Sequence, residues 1–170
     1  SLTEGGGDWG KRLGKDNIIN RGISGDVAMG IYDRLHQILP GKPKQIFLLI
    51  GVNDISHDLS TDSIVNMIEK NVTRIQRESP ETKLYLQSLL PIDESFNRYK
   101  KLTNKTYQIP EINDRLKALA KEKKIDFIDL YPLFTEKGTN VLRKELTYDG
   151  LHLKEEGYKI WVDAIKKKMR

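Results

Sequence analysis

The 170 residues include no cysteine. That excludes disulfides, thiolate nucleophiles and cysteine-ligated zinc. It leaves the compartment open, because cysteine-free chains occur on both sides of a membrane. Long hydrophobic runs are missing as well. The longest strongly apolar stretch is residues 46–50, whereas a membrane-spanning helix needs ~20 residues, so no transmembrane segment is expected. Neither sign of charge dominates: 29 basic residues face 24 acidic ones, a net charge of +5. The excess collects at Lys121, Lys123 and Lys124 and at Lys166, Lys167, Lys168 and Arg170. Both groups end predicted helices, where cations suit the negative end of the dipole. No aromatic residues interleave with them as a nucleic-acid stacking platform requires, so nucleic acid is not an expected partner. Phosphate-cradling glycine motifs are absent from the strand–helix junctions, and Gly5, Gly6 and Gly7 form a run without the spacing or the lysine such a loop needs.

What is there has the balance of a globular protein, 38% hydrophobic and 31% charged. The length suits a single domain over residues 1–170. Short apolar runs alternate with longer amphipathic ones, the pattern of βαβ units around a parallel sheet. Strands are predicted at residues 18–19, 45–50, 83–88 and 126–130. Helices are predicted at 27–39, at 62–79 with Thr61 or Asp62 as its N-cap, at 110–123 and at 155–168. Residues 89–107 break this rhythm. They carry Phe96, Tyr99 and Tyr107 among polar neighbours and read as a wall or lid of a substrate site.

In open parallel sheets, ligands bind beyond the carboxyl ends of the strands. Polar residues and glycines gather there: Gly22, Ser24, Gly25 and Asp26 after the first run, then Gly51, Asn53 and Asp54 after the second. Asp149, Gly150 and His152 precede the last helix. A serine hydroxyl is a poor nucleophile until a base takes its proton. That base is a histidine held by a carboxylate. His152 has a carboxylate, Asp149, at a spacing that brings both to one turn, provided the stretch coils helically. His36 falls within an amphipathic helix and reads as a surface residue.

Four blocks occur in order: Ser1-Leu2-Thr3-Glu4-Gly5-Gly6, Ile23-Ser24-Gly25-Asp26, Gly51-Val52-Asn53-Asp54 and Asp149-Gly150-Leu151-His152. Together they resemble the SGNH hydrolases, also called the GDSL esterase/lipase family, over nearly the whole chain. The resemblance implies a three-layer α/β/α sandwich with a parallel, flavodoxin-like sheet of five strands. It implies Ser1 as nucleophile, His152 as general base and acid, and Asp149 as its orienter. The implied oxyanion hole joins the backbone N–H groups of Ser1 and Gly25 to the Asn53 amide. No cofactor or metal is implied. Candidate substrate contacts are His57, Phe96 and Tyr99, with Asn20 and Arg21 as weaker ones. Asp26 and Asp54 are expected to cap the turn or helix that follows each.

One departure stands out. In the family a central strand and a Gly-Asp pair precede the serine, and here the sequence opens on the serine itself. The expectation is an upstream strand outside these residues, with any targeting signal hidden too. The function so implied is hydrolysis of a short-chain ester, acetyl in the first instance, on a carbohydrate alcohol, through an acyl-serine intermediate. The rivals are a sugar- or acyl-binding module without turnover, and a thioesterase or phospholipid acylhydrolase.

Overall fold

The computed structural model describes residues 1–169. Its elements run α1 (Leu2–Gly5), α2 (Trp9–Leu13), α3 (Ala28–Arg34), β1 (Gln45–Leu48), α4 (Val52–Ser56), α5 (Thr61–Glu78), β2 (Lys83–Gln87), α6 (Gln108–Glu122), β3 (Asp126–Ile128), α7 (Tyr131–Phe134) and α8 (Glu155–Lys168). The three strands lie parallel in the order β1-β2-β3. Ile46 pairs with Leu84, and Tyr85 pairs on its other side with Asp126.

Alternation along the strands assigns the two faces. Ile46, Leu48, Leu84, Leu86 and Phe127 pack with α3, α5 and α6 in one apolar cluster. Phe47, Leu49, Tyr85 and Ile128 pack with α1, α2, α7 and α8 in a second. Helices on both faces explain why the strands read as continuous apolar runs rather than alternating ones. On α5, Ile64, Ile68, Val72 and Ile75 are buried along one stripe, each contributing roughly 1.5–3 kcal/mol. On the other face, Trp161 is buried and donates its indole N–H to Gln87 Oε1 at 2.7 Å, which satisfies two polar groups inside the core.

Of the five strands expected, the described residues form three. The stretch predicted as a strand at residues 18–19 makes no ladder, and Ile19 is 75% exposed. No strand runs beside it among the described residues, so its backbone has nothing to pair with. The helix predicted at residues 27–39 ends at Arg34 and continues as two 3₁₀ turns, Leu35–Gln37 and Leu39–Gly41. The N-cap of α5 is Ser60, one residue before those expected, and its hydroxyl accepts from the Ser63 N–H at 3.2 Å. The other strands and helices lie within two residues of their predicted bounds.

Candidate active site

Ser1 is set by what surrounds α1. Leu2 is buried, and its carbonyl accepts from the Tyr158 hydroxyl of α8 at 3.0 Å. The Thr3 carbonyl accepts from both Trp9 Nε1 and Asn20 Nδ2 at 2.8 Å. Arg12 of α2 reaches Glu155 of α8 with two hydrogen bonds, at 2.7 and 2.9 Å. The start of the chain is therefore fastened to the last helix.

His152 arrives from a tight turn, not from the helical coil expected. Asp149 Oδ1 accepts the backbone N–H groups of Leu151 (3.0 Å) and His152 (2.7 Å), and this folds the stretch back on itself. Gly150 sits at φ +89°, and a Cβ there would lie 2.3 Å from the Asp93 carbonyl oxygen. The turn therefore requires glycine. Phe96 packs against this glycine and does not line the pocket.

The result is a connected chain of three groups. His152 Nε2 lies 3.0 Å from Ser1 Oγ, and His152 Nδ1 lies 2.8 Å from Asp149 Oδ2. Burial works against ionising Asp149. The hydrogen bonds from Tyr99, the His152 ring and the two backbone N–H groups outweigh it and hold the carboxyl at about 2. An ionised Asp149 can only accept, so Nδ1 carries the hydrogen and Nε2 offers its lone pair to Ser1.

Tyr99 has a part that sequence reasoning did not assign. Its hydroxyl donates to Asp149 Oδ2 at 2.6 Å, and its oxygen lies 2.9 Å from His152 Nδ1. The Nδ1 hydrogen is thus shared between carboxylate and phenol. Burial first, and then the bond to Asp149, push the Tyr99 pKa up, so the phenol keeps its proton. Tyr99→Phe should lower the melting temperature by roughly 5 °C at neutral pH, since a hydrogen bond to a charged group is worth about 1.5–3 kcal/mol. Asp149 is depressed in the folded state from an ordinary value of ~3.9. Its contribution is therefore complete above pH ~4 and lost as the pH falls through about 2. The gap between the melting curves of wild type and Tyr99→Phe should close over that window. A gap unchanged at pH 2 would mean the phenol acts through packing alone.

The expected amide donors are only partly free. Asn53 Nδ2 gives one hydrogen to the Asp26 carbonyl at 2.8 Å, which leaves its second hydrogen for a ligand. Gly25 is exposed in a turn at φ +77°, and its N–H has no partner among the described residues. The Ser1 nitrogen, by contrast, donates to the Ile23 carbonyl at 3.2 Å. Asp26 does not cap α3 as expected: the N-cap position is Val27, without a side-chain bond, and Asp26 accepts from the adjacent Val27 N–H at 3.0 Å and pairs with Arg34. Asp54 caps a different helix from the one expected. Its carboxylate, 1% exposed, accepts from the Ala28 N–H at the start of α3. Burial raises its pKa, and the Ala28 bond opposes that.

An open pocket of about 500 Å³ joins these groups. Ser1, Gly25, Asn53 and His152 line it with Ser24, Ser56, Leu102 and Leu151, and Arg98, Tyr99, Lys100 and Lys101 form one wall. Residues 89–107 therefore supply that wall. His57 stands exposed at the end of α4 and His36 on the surface; neither lines the pocket, and neither does Arg21. Asn20 serves the local fold, bonding the Thr3 and Gly7 carbonyls and the Gly22 N–H. Among the described residues no three His, Asp or Glu side chains gather as a metal ion would need.

Comparison with solved structures gives the same architecture. A GDSL-like lipase from Bacteroides thetaiotaomicron VPI-5482 is 26% identical, with a TM-score of 0.87 over 99% of this chain and 83% of that one. The acetyl xylan esterase AlAXEase shares the fold at 22% identity, with a TM-score of 0.82 over 100% of this chain and 96% of that one. Among curated proteins, N-acylneuraminate cytidylyltransferase of Escherichia coli O18:K1:H7 (strain RS218 / NMEC) is 25% identical over 158 residues. That match takes in 91% of this chain and 36% of the relative, so the chain spans about a third of that protein's length. The model of the GDSL-like Lipase/Acylhydrolase family matches residues 1–160. The chain belongs to that family, whose members hydrolyse ester bonds.

Proposed function

We propose that this chain is a serine esterase acting on a short acyl ester, acetyl in the first instance, through an acyl-serine intermediate. The observation that carries the reading is the 3.0 Å contact between His152 Nε2 and Ser1 Oγ, with Asp149 bonded to the far side of the ring. His152 takes the Ser1 proton as Oγ attacks the acyl carbon. The carbonyl oxygen becomes an oxyanion, met by the Gly25 N–H and the second Asn53 amide hydrogen. The imidazolium, steadied by Asp149, then protonates the leaving alcohol. A water deprotonated by His152 attacks the acyl-serine, and expulsion of Oγ releases the acid and restores the hydroxyl.

Acyl length follows from the pocket lining. Leu102 and Leu151 are its only aliphatic side chains. A long acyl tail gains ~0.8 kcal/mol for each CH₂ removed from water, and two leucines cannot shelter many. A carbohydrate alcohol is consistent with the open, polar, tyrosine-bordered cleft, and an acetyl xylan esterase carries the same architecture. p-Nitrophenyl acetate should be cleaved with a kcat/KM about tenfold or more above that for the decanoate ester. Equal or faster cleavage of the decanoate would overturn the short-acyl reading.

A further inference from the structure

We propose that the alcohol part of the natural ester carries a negative charge, a carboxylate or a phosphate, which the wall formed by Arg98, Lys100 and Lys101 recognises. This rests on the esterase reading above and deepens it.

Three cations line the pocket that holds Ser1 and His152, and no aspartate or glutamate is among its lining residues. None of the three forms an ion pair among the described residues. Asp58 feels the field of Lys101, but Lys105 already bonds its carboxylate. Of the anions near the site, Asp149 has its oxygens occupied by Tyr99, His152 and Leu151, Asp26 pairs with Arg34, and Glu4 lies close enough to Ser1 to act on its nitrogen. The wall therefore presents three cations that no carboxylate pairs among the described residues.

The backbone that carries these charges is held in place. Tyr99, between Arg98 and Lys100, is bonded to Asp149, and Leu102 is buried. Glu94 ties the segment together by accepting from the Asn104 N–H and the Thr106 hydroxyl. Lysine and arginine anchored beside a concave site focus potential into it. The geometry also chooses the side of the ester. The leaving oxygen must reach His152 Nε2 to be protonated, and Arg98, Lys100 and Lys101 line the same pocket as that ring. The Gly25 and Asn53 donors are taken up by the acyl carbonyl. The anion is accordingly assigned to the alcohol, and the acyl-side arm of the test checks that side.

The test compares 4-acetoxybenzoate and 4-acetoxyphenyl phosphate with neutral methyl 4-acetoxybenzoate, each rate divided by that ester's rate with hydroxide. At low salt an anionic ester should have about tenfold or higher kcat/KM, mostly through KM. The preference should shrink toward 1 M salt, where the Debye length falls to about 3 Å. The two anionic arms separate a carboxylate from a phosphate. Monosuccinate esters of neutral phenols, with the charge on the acyl side, should gain little. In the Arg98→Gln, Lys100→Gln, Lys101→Gln triple variant the ratio of anionic to neutral rates should approach one. A wild-type ratio near one, or one that salt and the triple variant leave unchanged, would overturn the proposal. Cleavage of the neutral ester reports separately on the esterase reading. Should no ester turn over, NMR titration with the products decides. Tighter binding of 4-hydroxybenzoate or 4-hydroxyphenyl phosphate than of methyl 4-hydroxybenzoate, lost in the triple variant, supports the anion site; equal binding overturns it.

Discussion

Ser1→Ala is expected to lower kcat on p-nitrophenyl acetate by about 10⁴-fold or more, and His152→Ala by a similar factor. The physical ground is the contact chain on the page. Among the described residues Ser1 Oγ is the only hydroxyl bonded to His152 Nε2, and the ring is locked in one tautomer by an ionised carboxylate. Without the hydroxyl no acyl-enzyme forms; without the ring no group at 3.0 Å takes the proton. The two losses should not add. The double variant should resemble either single one, because each already stops the same step. Some residual rate over water should remain from the amide donors. Near-normal activity in Ser1→Ala, with folding verified by circular dichroism, would sink the assignment of the nucleophile. A serine-directed fluorophosphonate gives a second reading, since it should label the wild type and fail on Ser1→Ala.

Asn53→Ala should cost kcat about 10²–10³-fold and leave KM within a few-fold, the pattern of a donor that engages the transition state more than the ground state. Negative charge appears on the carbonyl oxygen only as the tetrahedral intermediate forms, so the second amide hydrogen acts then. The residue also holds the Asp26 carbonyl at 2.8 Å, next to the Gly25 turn. Loss of that bond shifts the other donor as well, and the truncation measures both effects together. Asn53→Asp separates them. It keeps the side-chain size, removes both hydrogens and adds a negative charge facing the oxyanion, so it should be at least as damaging as alanine. A rise confined to KM in both variants would place Asn53 in ground-state binding only.

The sandwich was legible in the sequence because its parts are periodic. Buried parallel strands show as unbroken apolar runs, and α5, α6 and α8 show as stripes at helical spacing. The first stretch failed for a physical reason. Ile18 and Ile19 have the composition of a strand, but a strand is a pairing, and composition says nothing about whether a neighbour is at hand. The candidate site residues were legible in kind. The serine, the glycine and asparagine turns and the Asp149/His152 spacing each stood in order along the chain. What coils Asp149 and His152 together was not legible, because the Asp149 carboxylate folds the turn by accepting two backbone N–H groups.

Tyr99 illustrates the remaining gap. From sequence it reads as a candidate substrate contact in an irregular segment, and it does line the pocket. What the sequence does not show is that its hydroxyl completes the hydrogen bonding of Asp149, fifty positions away. Nothing in the sequence singles out Arg98, Lys100 and Lys101, and they become a wall of the pocket only because Tyr99 and Leu102 hold that segment against the site.

The sequence by itself determined which side chains are able to do chemistry here, and it determined the layered scaffold, since both follow from residue type and local spacing. Tertiary structure alone decided which of those side chains meet. Ser1 and His152 lie 151 positions apart and touch because α1 is clamped to α8 and the 149–152 turn is braced by Asp93. Such long-range closure depends on packing summed over the whole core, which no short window of sequence contains.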